Sequence, residues 1–177
     1  MESEFARKVQ EAYAMYAPKL VLYGRQWVNI QSAEDCVQDV FVRLMLQRRW
    51  PDRLEGWLFK LVRHEVVNMV RRNSRQQRRA ASDERQANWF QPDEKELVDV
   101  RAVQAAIVGL NEQVREVLML RIWAELEYED ISRITGMSET TAFRRYREGL
   151  RQIEIEMQLA KGGMQPRVSM DRRRIEK

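Results

Sequence analysis

Apolar residues recur at intervals of three and four along most of this chain, a pattern that buries one stripe of a helix and offers no alternating face for a sheet. Only seven glycines and four prolines interrupt it in 177 residues, so the chain is expected to be all-α. Val37, Val40, Phe41, Leu44 and Met45 follow the i, i+3, i+4, i+7, i+8 spacing and define a buried face. Ser32 is the expected cap of that helix, with Glu34 and Asp35 in its first turn, where the helix dipole favours them. Trp50-Pro51-Asp52 ends the helix and a second starts near Leu54, with Leu58, Leu61, Val62 and Met69 as its core face. A preceding helix from Phe5 to Trp27, broken or bent at Pro18, completes a three- or four-helix bundle over residues 1–75.

Between residues 76 and 98 the periodicity lapses into Arg, Gln, Ala, Ser, Asp and Glu, with Trp89 and Phe90 as the large apolar residues before Pro92. This stretch reads as a flexible linker, and its 23 residues could span about 75 Å when extended. Helical spacing resumes with Val100, Val103, Ile107 and Leu110, then Val114, Val117, Leu118 and Arg121-Ile122, which places a second small bundle at about 99–157. Residues 158–177 form a basic tail expected to fray, with Gly162, Gly163 and Pro166 ahead of Arg172, Arg173 and Arg174.

The net charge is only +4, but its distribution is uneven. Lys60, Arg63, Arg71, Arg72, Arg75, Arg78 and Arg79 face the single anion Glu65 between residues 60 and 79, which favours a polyanionic partner over an ordinary solvated helix face. One cysteine, Cys36, excludes an intramolecular disulfide, and one histidine, His64, leaves no metal-ligand cluster to assemble. No cofactor is expected. Without a glycine-rich phosphate loop or clustered carboxylates there is also no site from which to build an enzyme. Glu2 and Glu4 stand where an export signal would be basic, and no window approaches a membrane span, so a cytoplasmic protein is expected.

The most informative stretch runs Tyr128-Glu129-Asp130-Ile131-Ser132-Arg133-Ile134-Thr135-Gly136-Met137-Ser138-Glu139-Thr140-Thr141-Ala142-Phe143-Arg144-Arg145-Tyr146-Arg147. It reads as helix, turn, helix. Ile131 and Ile134 face inward, Gly136 supplies a left-handed turn residue, small Ser132 admits the second helix, and Ser138 caps it. The alternative is a plain αα-hairpin, but the cations crowding the second helix argue for DNA. Ser138, Glu139, Thr140, Thr141, Phe143 and Arg144 then lie where a recognition helix meets base edges, and Arg145, Arg147 and Arg151 follow where it meets phosphate. Phe143 either packs on a thymine methyl or stabilises the hairpin.

Leu110-Asn111-Glu112-Gln113-Val114-Arg115-Glu116-Val117-Leu118-Met119-Leu120-Arg121, leading into that hairpin and on to Leu150, resembles region 4 of extracytoplasmic-function (group 4) sigma factors of the sigma-70 family. Residues 10–75 resemble region 2. Within them Ala33-Glu34-Asp35-Cys36-Val37-Gln38-Asp39-Val40-Phe41-Val42-Arg43-Leu44 is similar to the family's polymerase-binding helix, and Leu54-Glu55-Gly56-Trp57-Leu58-Phe59-Lys60-Leu61-Val62-Arg63 to its promoter-melting helix. The resemblance implies that Glu34, Asp35, Gln38 and Asp39 meet core RNA polymerase, with Arg43 and Arg48 extending the surface and Cys36 and Met45 in the core. It implies that 49–53 is the loop that captures a base flipped from the minus-10 element, with Trp50 either a stacking platform or a core residue closing the bundle. Lys60, Arg63, His64, Asn68, Arg71 and Arg72 would line the minus-10 DNA, and residues 138–151 the minus-35 element. His64, Asn68, Asn111 and Glu127 depart from the commoner Asn, Asp, Pro and Ser, which bears on promoter sequence rather than on role.

The resemblance further implies promoter DNA and core polymerase as partners and control by an anti-sigma factor. A rival reading is a helix-turn-helix regulator that binds DNA through 126–152 without a polymerase role. Another is an RNA-binding adaptor that uses the Arg71 to Arg79 stretch.

Overall fold

The computed structural model describes residues 4–47, 49–77 and 98–162, and all its regular structure is helical. Helix α1 is Glu4–Gly24, α2 is Ile30–Gln47 and α3 is Leu54–Gln77. Helix α4 is Val98–Gly109, α5 is Glu112–Leu118, α6 is Tyr128–Thr135 and α7 is Glu139–Gly162, with one π-helical turn at Met119–Trp123 between α5 and α6. The linker residues Trp89, Phe90 and Pro92, together with Arg48, Arg78 and Arg79, lie outside the described residues.

Helices α1–α3 form the first bundle around Leu20, Tyr23, Val37, Val40, Leu44, Leu58, Phe59 and Val62, each essentially without exposed surface. Helix α1 continues through Pro18 and ends at Gly24, short of the expected Trp27. Backbone amides of Arg25, Gln26, Trp27 and Val28 turn back onto Val21, Tyr23 and Gly24 carbonyls instead. The chain can turn there because α2 passes close by: a β-carbon on Gly24 would stand 3.3 Å from that of Ala33.

Two expectations for α2 are corrected. Its cap is Asn29 rather than Ser32, since Asn29 Oδ1 accepts the Ser32 amide at 2.8 Å and places Ser32 inside the helix. Met45 is exposed rather than buried; at roughly 100° per residue it sits about 80° from the centre of the Val37, Val40, Phe41 and Leu44 stripe, beyond what α1 and α3 cover.

In the second bundle, α7 packs across α4, α5 and α6. Asn111 stands at the start of α5 and its side chain accepts the Gln113 amide at 3.0 Å. Glu127 begins α6 in extended conformation without a side-chain cap. After the π turn, the Arg121 guanidinium donates to the Leu126 carbonyl at 2.8 Å and to Glu127 Oε1 at 3.2 Å, and it lies 5.2 Å from the centre of the Tyr128 ring. That arginine ties down the connection into α6. Helix α7 runs to Gly162, five residues into the stretch expected to fray, because the periodicity of Leu150, Ile153 and Met157 carries it onward.

Close packing of α7 rests on Gly149. A β-carbon there would fall 2.5 Å from Leu118 Cδ1 and 2.9 Å from Val114 Cγ1. Gly149→Ala is therefore expected to destabilise the second bundle by about 1–3 kcal/mol, the usual cost of overpacking, although alanine is the better helix former. Urea unfolding of the full chain, followed by helical signal, measures it; unchanged or increased stability would mean that Leu118 and Val114 yield without strain.

The two bundles share one core. A single cluster of buried side chains runs from Val9, Leu20, Tyr23, Leu58 and Val62 to Met119, Leu120, Leu126, Ile131 and Ile134, and α3 lies directly against α6.

Candidate nucleic-acid interface

The helix-turn-helix is built by short local bonds. Ile131 and Ile134 are buried, Gly136 has φ 78°, and its amide closes α6 on the Ser132 carbonyl. Ser132 Oγ donates to the Met137 carbonyl at 2.6 Å, and Thr135 Oγ1 accepts the Met137 amide at 3.3 Å. Ser138 Oγ accepts the Thr141 amide at 3.2 Å and pairs with Thr141 Oγ1 at 2.8 Å, capping α7. The turn is thus fixed by groups within seven residues of one another, which sets the angle between α6 and α7.

On α7, the exposed residues Thr140, Arg144, Arg147 and Arg151 fall on one face, since steps of three and four residues return the helix to nearly the same direction. Ser138 and Glu139 are exposed at its start, and Thr141 is half-buried. Phe143 is 48% exposed and stands edge-on to Tyr128, with ring centres 5.6 Å apart, so it supports the hairpin while half of it stays in solvent. Arg145 is the exception: it turns toward the protein, donating to Glu148 at 2.9 Å and to Gln113 Oε1 at 3.3 Å. It does not share the face of the other arginines.

Glu34, Asp35, Gln38 and Asp39 are all exposed on α2, opposite Ala33, Cys36, Val37, Val40 and Leu44. Val42, Met45 and Leu46 are exposed farther along the helix and add an apolar stretch to that surface. Arg43 is drawn to α3 by Glu65 at 2.8 Å. Burial pushes the Cys36 thiol up to about 11, with the nearby carboxylates of Glu65, Asp39 and Asp35 adding to it. At pH 8 about one such thiol in a thousand is ionised, so Cys36 is expected to resist maleimide in the folded chain and to react at once in denaturant. Rapid labelling without denaturant would show that α2 opens.

Between α2 and α3, the residues Gln47, Arg49, Pro51, Asp52, Arg53 and Trp57 line an open depression of about 410 Å³. Trp50 does not line it. Its ring meets Phe5 edge-on at 6.0 Å with 36% of its surface exposed, so it closes the end of the first bundle from outside. Along α3, Lys60, His64, Arg71 and Arg72 are exposed, and Asn68 is half-buried with its amide on the His64 ring at 3.0 Å. Arg63 does not join that exposed row. Its Nε donates to Glu116 Oε1 at 2.7 Å, a bond that outweighs the desolvation of the guanidinium and keeps its pKa raised.

Sequence reasoning missed the group around Glu116. This carboxylate is 2% exposed and accepts from both Tyr23, whose hydroxyl donates at 2.7 Å, and Arg63. Burial first, and then the Glu116 charge, push the Tyr23 hydroxyl well above its ordinary pKa, so it stays a donor. The signal available was a carboxylate amid Val114, Val117 and Leu118, and such a residue reads equally well as surface. Among the described residues no His, Cys, Asp and Glu group could hold a metal ion, and no helix is long and apolar enough to cross a membrane.

Comparison with known families matches residues 12–76 to sigma-70 region 2 and residues 100–153 to sigma-70 region 4. The chain is 27% identical over 139 residues to the RNA polymerase sigma factor YlaC of Bacillus subtilis strain 168, covering 73% of this chain and 80% of that protein. It is 28% identical over 132 residues to the ECF RNA polymerase sigma factor SigE of Mycolicibacterium smegmatis, covering 71% of this chain and about half, 51%, of the relative. In fold it is similar to a chain of the co-crystal structure of the sigma factor RpoE with the anti-sigma factor NepR from Bartonella quintana, with a TM-score of 0.71 and 20% identity over 86% of this chain and 98% of that one. Two sigma-70 regions in order on one all-helical chain, with relatives of the extracytoplasmic-function type, define the class: this chain belongs to the sigma-70 family.

Proposed function

We propose that this chain is an extracytoplasmic-function sigma factor of group 4, a non-enzymatic subunit that joins core RNA polymerase and directs it to promoters. The observation that carries the reading is the presence of regions 2 and 4 on one chain, each with an exposed polar face of its own. Residues 1–75 serve as the polymerase-binding and minus-10 domain, 76–98 as linker and 99–157 as the minus-35 domain. Glu34, Asp35, Gln38 and Asp39 meet polymerase beside exposed Val42 and Leu46.

Lys60, His64, Asn68, Arg71 and Arg72 track the minus-10 DNA, joined by Arg63 once it leaves Glu116. The depression beside Trp57 has room for an extruded base, and Arg49 and Arg53 at its rim supply charge for the attached phosphate. Thr140, Arg144, Arg147 and Arg151 face the minus-35 duplex, with Ser138, Glu139, Thr141 and Phe143 at the helix start. The similarity in fold to a chain from an anti-sigma complex supports an anti-sigma factor as a further partner. Such a protein works in the cytoplasm, at the nucleoid while it is part of the polymerase.

The test is to mix the purified chain with core polymerase, to look for co-elution, and to assay run-off transcription from promoters selected with the reconstituted enzyme. Co-elution with promoter-dependent transcripts is expected. DNA binding by the chain alone with no retention of polymerase would instead make it a helix-turn-helix regulator.

A further inference from the structure

The contacts between the two sigma regions share one polarity: region 2 supplies every donor and region 4 every acceptor among the cross-region side-chain bonds of the described residues. Tyr23 and Arg63 give to Glu116, each at 2.7 Å. Trp27 Nε1 gives to Glu112 at 2.6 Å, and Arg53 gives to Glu129 at 2.9 Å and to Asp130 at 2.8 Å. Helices α5 and α6 therefore lay four carboxylates along the basic side of region 2, and the pairs lie over a common apolar core that seals Glu116 from water.

We propose that these carboxylates act as surrogate phosphates, so that region 4 docks on the nucleic-acid face of region 2 and holds the free chain closed and unable to engage a promoter. The inference rests on the sigma-factor reading above. Elements named for positions 25 base pairs apart lie roughly 80 Å apart on the duplex, at about 34–36 Å per turn. In the closed chain the arginine beside the candidate base depression, Arg53, is bonded to the first helix of the helix-turn-helix. The two reading surfaces therefore cannot reach both elements until the interface parts. Closure also withdraws Arg63 from DNA. Core polymerase and promoter phosphate oppose closure by binding the open form, which lowers their apparent affinity by the fraction of chains that are open.

A β-carbon on Gly56 of α3 would lie 3.8 Å from Asp130 Cβ of α6, the separation a disulfide requires. The full chain carrying Gly56→Cys and Asp130→Cys is expected to form this bridge within one molecule in most copies under mild oxidation, with buried Cys36 as bystander. Adding Glu116→Lys, which sets a cation against Arg63, should slow bridging at least tenfold. With polymerase present, the oxidised pair should form at least tenfold fewer promoter complexes than the same protein after reduction.

Bridging no faster than in the Glu116→Lys background would overturn the closed state, and equal promoter-complex formation by oxidised and reduced protein would overturn its inhibitory role. If the cysteine pair does not fold, small-angle scattering of the unsubstituted chain decides: a radius of gyration that Glu116→Lys leaves unchanged overturns the closed state, and one that it increases supports it. Bridging and scattering need no polymerase, so failure of the reduced chain to bind polymerase would count against the sigma-factor role alone.

Discussion

Alanine at both Asp35 and Asp39 is expected to lower affinity for core polymerase about tenfold or more while leaving the fold intact. Both carboxylates are exposed on the solvent side of α2, and what holds that helix is the opposite stripe of Val37, Val40, Phe41 and Leu44, all buried. Neither makes a printed ion pair that the fold would lose on truncation, so the change in stability should be within about 0.5 kcal/mol, as for surface positions generally. At a protein interface, truncating one side of a charged, hydrogen-bonded pair costs about 2–5 kcal/mol, because its partner is left unpaired. Tenfold, about 1.4 kcal/mol, is a conservative expectation for two such changes. Titration of labelled core polymerase with each variant, alongside thermal unfolding, separates the effects. Equal affinity with equal stability would remove the α2 surface from the polymerase interface.

The parts of this fold that were legible in the sequence are those fixed by neighbours along the chain. Gly136, Ser132 and Ser138 encode the helix-turn-helix because each makes its bond within five residues. The stripe on α2 was legible for the same reason, except at its edge, where burial of Met45 depends on how far α1 and α3 wrap around. The cap was misplaced because Asn29 and Ser32 are both competent, and the choice falls to where the chain returns from α1. What the sequence did not disclose was long-range. Tyr23 and Glu116 are 93 residues apart, Arg63 and Glu116 are 53 apart, and no periodicity links them. Arg145 was misjudged for a related reason: a cation on a recognition helix suggests DNA, but its angular position aims it at Gln113 on α5.

On α7, Arg144→Ala is expected to relax base preference at one or two positions of the minus-35 element, and Arg151→Ala to weaken all sequences alike. Both side chains are exposed on the same face, but they stand seven residues apart, about 10 Å along the axis at 1.5 Å per residue. Near the capped end, beside Ser138 and Thr141, the helix enters the groove, and Arg144 can offer its two-pronged fork to a guanine edge. Losing such a contact removes about 1–3 kcal/mol of discrimination, roughly 5- to 150-fold. Two turns on, the helix is leaving the base edges, and Arg151 meets phosphate, which carries charge but little sequence information. Removing one phosphate contact should lower affinity across sequences and reduce the dependence of log affinity on log salt by about one. Binding-site selection by the polymerase complex reconstituted with each variant measures both effects. A changed consensus with Arg151→Ala and an unchanged one with Arg144→Ala would mean that α7 enters the groove by its other end, and the capped N-terminus would then lie over the backbone.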